Sequence, residues 1–133
     1  MASQSLRSVL IVRGIVAHFV GLGAASFWVA LQIDSFPVLG TTLEGVILGA
    51  FLASPWATAM FGVFWFAATW LDRHVVTVCL LGPMLVWASA YALIVSGRWL
   101  PEKYMEPVMI ASVVASAVYF AMHVLRRRRI LDT

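Results

Sequence analysis

Residues 45–71 read GVILGAFLASPWATAMFGVFWFAATWL, 27 positions without a charge. As a helix this stretch is longer than the ~20 residues needed to cross a ~30 Å hydrocarbon layer. The chain around it repeats the pattern. Residues 14–33, 75–97 and 108–125 also carry no Asp, Glu, Lys or Arg. The connections between the four runs are too short to hold a separate soluble domain. The reading is an all-α polytopic membrane protein: one domain of four transmembrane helices, over about 8–33, 43–71, 75–97 and 106–126, in an antiparallel bundle.

Composition agrees, with 62% hydrophobic and 11% charged residues against the far more even mixture of soluble domains. The net charge of +3 does not point to nucleic acid, because no soluble basic surface remains to carry it. Four of the nine basic residues, Arg126, Arg127, Arg128 and Arg129, directly follow the last apolar run. With Arg7, Arg13 and Arg73 they mark one side of the membrane. The other side has only Arg98 and Lys103, accompanied by Asp34, Glu44, Glu102 and Glu106. The positive-inside rule then places both termini in the cytoplasm, and the expected location is a bacterial inner membrane. Residues 1–6 read as a short disordered start. The first apolar run continues past the length of a signal-peptide core, so it reads as a retained span.

Local signals refine the helices. Pro55 lies inside the second run, where the missing N–H predicts a kink, with the Ser54 hydroxyl helping to satisfy the freed carbonyl. Gly82-Pro83 is a similar weak point in the third. Thr41 or Thr42 is an expected cap for the second helix, and Pro107 suits the first turn of the fourth, with Glu106 at its positive end. The short turn at Asp72-Arg73-His74 predicts a tight hairpin between the second and third helices. Trp28, Trp70, Trp99 and Tyr104 fall at interfacial depth, while Trp56, Trp65 and Trp87 fall deeper.

Packing is read from small residues. Gly45, Gly49, Ala53 and Ala57 recur every four positions along the second helix, with Gly49 at the centre of that face. Gly21 and Ala25 repeat the spacing in the first helix, and Ala111 and Ala115 in the fourth. Lipid supplies no hydrophobic drive between helices, so close approach through such residues matters more. The face serves either the bundle itself or a contact with another subunit.

No charge lies in the middle of any span, which argues against a proton-coupled antiporter built on a buried carboxylate. His18 is the ionisable side chain well inside a helix, about 7 Å beyond Arg13 along the axis. Its plain reading is a neutral hydrogen-bonded histidine. His18 and His123 are the weak candidates for a haem or quinone site, and no cofactor is otherwise expected. Arg13 is expected to snorkel to the cytoplasmic interface, and with Arg73 and Arg126 to Arg129 to meet anionic lipid headgroups. Asp72 and Arg73 read as a solvated turn pair. Glu44, Glu102 and Glu106 read as markers of the outer interface. Cys79 stands alone and reads as a small apolar residue. No nucleophile elbow, phosphate loop or metal spacing occurs, so catalysis is not expected.

These observations favour a non-catalytic accessory or scaffold subunit of a larger transport or electron-transfer complex. The alternatives are a self-associating channel, small transporter or holin-like pore, and a membrane enzyme acting on a lipid or isoprenoid. Expected partners are the bilayer, other membrane subunits or further copies of the chain, and not nucleic acid. No resemblance to a known family carries any of this.

Overall fold

The structure is a computed structural model that describes residues 2–32, 38–96 and 102–131, with the side chains of 2–5, 39, 102 and 128–131 outside that description. Every regular element among them is a helix: α1 (Ala2–Gln32), α2 (Val38–Phe66), α3 (Ala68–Arg73), α4 (Val75–Val95), a 3-10 turn (Glu102–Tyr104) and α5 (Met105–Leu131). Four are long and apolar enough to cross a membrane, over Leu6–Gln32, Gly40–Phe66, Val75–Val95 and Met105–Arg127. That is the pattern of a multi-pass membrane protein.

The ends of the elements depart from expectation in instructive ways. Helix α1 starts at Ala2, where a disordered start was expected. Helix α2 starts at Val38, so Thr42 lies inside it and caps nothing. Its hydroxyl instead donates back to the Val38 carbonyl at 2.7 Å. Helix α5 does carry Glu106 in its first turn, next to Pro107. Neither internal proline splits its helix into two. Helices α2 and α4 run on through Pro55 and Pro83. Beside Pro55 the Thr58 hydroxyl donates back to the Ser54 carbonyl at 2.8 Å.

The second apolar run breaks instead at Ala67 (φ −109°, ψ 20°), which no sequence signal marks. The helical hydrogen-bond chain bridges the break, since the Ala67 N–H reaches the Val63 carbonyl at 2.8 Å and Leu71 N–H reaches Ala67 at 2.9 Å. Packing explains the bend. It turns α3 so that Ala68 and Leu71 enter a core with Leu10, Ala17, Phe64, Val75 and Tyr119. In that core the Phe64 and Tyr119 rings stack with centroids 5.7 Å apart.

Helix α1 is the hub. It packs against α2 on one side and α5 on the other, while α4 packs on α5. Small residues make this possible. A Cβ on Gly14 would meet the Phe64 ring, one on Gly21 the Ala111 carbonyl oxygen, and one on Gly45 the Ser26 Cβ at 2.9 Å. Gly14 against Phe64, Leu22 against Gly49 and Ser26 against Gly45 run in opposite senses along α1 and α2. Gly21 against Ala111 and Ala115, with Trp28 bonded to Glu106, shows the same opposition between α1 and α5. The expected tight hairpin between the second and third spans does not form. His74 alone joins α3 to α4, yet α4 turns to α5 rather than to α2.

Candidate functional site

Two features stand out, a central apolar cleft and a polar cluster at the arginine-rich end. The cleft follows from the packing order. Because α2 is held by α1 and α4 by α5, the faces of α2 and α4 are left apart. The space between all four spans has a volume of about 550 Å³, the size of a small-molecule site.

Leu22, Gly49, Ala53, Val86 and Ala111 give its walls their apolar character, and His18, Cys79 and Ser116 are among the few polar groups. All four small residues of α2, Gly45, Gly49, Ala53 and Ala57, line the cleft, and Gly45 and Gly49 also meet α1. The seam is bridged by Trp56, whose indole N–H donates to Ser89 Oγ at 2.8 Å, while Ser89 in turn donates to the Val86 carbonyl at 2.8 Å.

This bridge gives a direct expectation. Trp56→Phe and Ser89→Ala each remove it, so a double-mutant cycle on thermal unfolding in detergent should show a coupling of about 1 kcal/mol, the range of hydrogen bonds between membrane helices. Strictly additive single effects would show that the two spans are held apart or together by something else.

The polar cluster lies at the other end of the core. Arg13 is not a snorkelling residue: it is 6% exposed, because it falls on the same α1 face as Leu10 and Ala17 and points into the packed interior. Its Nη1, the Tyr119 hydroxyl and His123 Nδ1 are buried without hydrogen-bond partners among the described residues. Asp72, with its side chain 34% exposed, borders this cluster. Its Oδ1 lies 3.6 Å from His123 Nδ1, a contact that is too long for a hydrogen bond. Arg126 is half-buried beside Arg13, while Arg73 and Arg127 are exposed. Arg7 stands 5.4 Å over the Trp65 ring. The side chains of Arg128 and Arg129 lie outside the described residues.

The two histidines singled out from sequence do not come together. The register that sets Gly21 against Ala111 and Ala115, and Trp28 against Glu106, puts His123 level with Ile11. His18 is then about 10 Å deeper along α1 and faces the cleft. At the far end Glu106 accepts the Trp28 indole N–H at 3.0 Å and Glu44 lines the cleft mouth. Among the described residues no group of three His, Cys, Asp or Glu is placed to hold a metal ion. Asp34, Arg98, Trp99 and Pro101 lie outside the described residues.

Sequence reasoning missed both features. Arg13 was visible as a charge near a helix end, but its burial depends on which face of α1 meets α5. Asp72 and His123 are 51 positions apart, and only the α4–α5 contact brings them together. Compared with protein-family models, curated proteins and solved structures, the chain matches none.

Proposed function

We propose that this protein is a non-catalytic accessory or scaffold subunit of a larger membrane assembly, built as an antiparallel four-helix bundle with both termini in the cytoplasm. The observation that carries this reading is the weakly closed α2–α4 seam. Both helices expose long apolar faces, including Ile47, Phe51 and Leu52 on α2 and Leu80, Met84 and Leu85 on α4. Between them lies a cleft that the chain's own side chains do not fill. A transmembrane element of another subunit supplies the shape and the van der Waals contact that such a seam lacks.

The cleft gives a specific reason to keep one alternative. Its apolar lining and volume suit a lipid or isoprenoid chain, which is the substrate class of the membrane-enzyme reading. The pore reading has no comparable support, since an ion path needs polar groups along its length.

Purification in mild detergent followed by native mass spectrometry tests the proposal. A stoichiometric second polypeptide supports the subunit reading. A homo-oligomer, or a monomer with one tightly held isoprenoid, would overturn it in favour of the corresponding alternative.

The orientation rests on seven basic residues against two. Single cysteines at Ser35 and Glu102, in a Cys79→Ala background, should react with impermeant thiol reagents added outside the cell. Cysteines at Asp72 and Thr133 should react only after permeabilisation. The reverse pattern would place the arginine-rich end outside.

A further inference from the structure

From the central cleft and two unbonded polar groups on its wall, we infer a binding site for a prenylated quinone, with a ring carbonyl held by His18 and Ser116. The site shares the cleft of the subunit reading but does not depend on a partner. A helix laid across the α2–α4 seam would close the cleft over such a ligand. The cleft follows α1 from Gly14 to Val29, about 22 Å along the axis. Its volume of about 550 Å³ is that of a small-molecule site.

His18 is the residue that points to a ligand. Its imidazole lies inside the first span, half-buried on the cleft wall, and makes no hydrogen bond among the described residues. The Phe19 ring, edge-on at 5.9 Å, gives it no polar partner. The hydrogen bond expected of this histidine is therefore not made within the chain. Ser116 stands level with it. The register of Gly21 against Ala111 and Ala115, and of Trp28 against Glu106, pairs position 18 of α1 with position 116 of α5. Ser116 lines the cleft too, its Oγ lies 3.9 Å from the Cβ position of Gly82 on α4, and it also makes no hydrogen bond among the described residues. By contrast, Ser89 and Ser112 donate to main-chain carbonyls, and Ser26 lies about 12 Å further along α1.

The chemistry of these two groups defines the head of the ligand. A neutral imidazole carries one N–H whichever nitrogen holds it, and a serine hydroxyl donates by rotation. Two donors at one depth in an apolar cleft suit a carbonyl oxygen, which accepts through two lone pairs. The head must also be uncharged. Among the described residues Glu44, at the far mouth, is the one charged side chain on the cleft. An ionic headgroup beside His18 would lose its water without gaining a counter-charge. Planarity follows from α2. The contacts of Gly14 with Phe64 and of Leu22 with Gly49 set Trp56 and Ala57 level with His18, with Phe61 one turn on. The aromatic faces of Trp56 and Phe61 suit offset stacking on a flat ring, for which Ala57 and Gly82 leave space. Beyond the ring, Leu22, Leu48, Leu52 and Val86 offer an apolar wall for the isoprenoid chain.

The test is native mass spectrometry of the full chain in detergent. A benzoquinone, the corresponding benzene without oxygens and a ring-free primary alcohol, all with the same short isoprenoid tail, are supplied in equal amounts. The quinone should be retained about tenfold over the benzene, the factor that one well-made hydrogen bond supplies. That comparison uses the parent protein alone. His18→Phe should bring the quinone down to the benzene level, and Ser116→Ala should lower it about threefold. Neither change should alter retention of the benzene. His18→Gln, which keeps an N–H, should retain more of the preference than His18→Phe. Equal retention of quinone and benzene by the parent would overturn the assignment. So would stronger retention of the alcohol, which would make the cleft an isoprenoid-alcohol site. Either result leaves the subunit reading intact, because that reading stands on a co-purifying second polypeptide. A quinone held by a chain that has no such polypeptide would overturn the subunit reading and support the quinone site.

Discussion

Replacing Gly21 with leucine is expected to be the most damaging single change at a glycine in this protein. A Cβ at that position would run into the Ala111 carbonyl oxygen and lie 3.0 Å from the Ala115 Cβ. The carbonyl belongs to the α5 backbone and cannot swing aside, so the two central helices must move apart along their length. Overpacking of this kind costs about 3 kcal/mol, the upper part of the range for large substitutions at tight contacts. Thermal unfolding in detergent should show a marked loss for Gly21→Leu and a smaller one for Gly49→Leu. Beside Gly49 the nearest atom is the mobile Leu22 Cδ2, at 3.1 Å. Gly62→Leu, with nothing within 4 Å of its Cβ position, should melt like the parent. If Gly49→Leu proves as harmful as Gly21→Leu, the α1–α5 contact is not the tight one.

Leu10→Ala is the second large effect, and it probes the core at the arginine-rich end. Leu10 is 0% exposed and packs in the cluster containing Phe64, Leu71, Val75 and Tyr119. In a membrane the lost transfer energy is small, because lipid is as apolar as the interior, but the cavity term survives. The loss should therefore be about 2 kcal/mol, at the lower edge of such substitutions in soluble cores. Leu80 is 66% exposed on the outer face of α4, and Leu80→Ala leaves no cavity. It should change stability little. Equal losses from the two variants, measured by the same unfolding assay, would mean that packing at the arginine-rich end holds nothing.

The contrast between these residues shows what could be read in advance. Gly21, Ala25, Gly45 and Gly49 announce close approach by their spacing, and all four do lie against a neighbouring helix or in the buried set. The ranking among them was not legible. Gly49 sits at the centre of the sequence pattern, yet Gly21 has the tighter contact, because contact depends on which backbone passes opposite. Arg13 shows the same limit from the polar side. Its position near a helix end suggests a side chain reaching for headgroups, but its angular position on α1 is shared with Leu10 and Ala17, and that places it inside.

Pro55 and Ala67 show the limit for backbone shape. Pro55 was the visible irregularity in this run, and α2 continues through it without a break. The break in the helix comes at an alanine, Ala67, where burying Ala68 and Leu71 against α1 and α5 outweighs any local preference. Such a break leaves no mark in composition.

The number of spans, their positions and the side on which the arginines gather follow from the sequence alone. Hydropathy is a local property: each stretch of some twenty uncharged residues is driven into lipid whatever its neighbours do. The choice of α1 as hub, the open seam between α2 and α4, and the meeting of Asp72 with His123 belong to the tertiary structure. These helices are apolar all round and carry no stripe that says which face turns inward. In lipid, burial favours no particular pairing, so small differences in backbone approach and side-chain fit select the partners. Those differences exist only once the helices are packed.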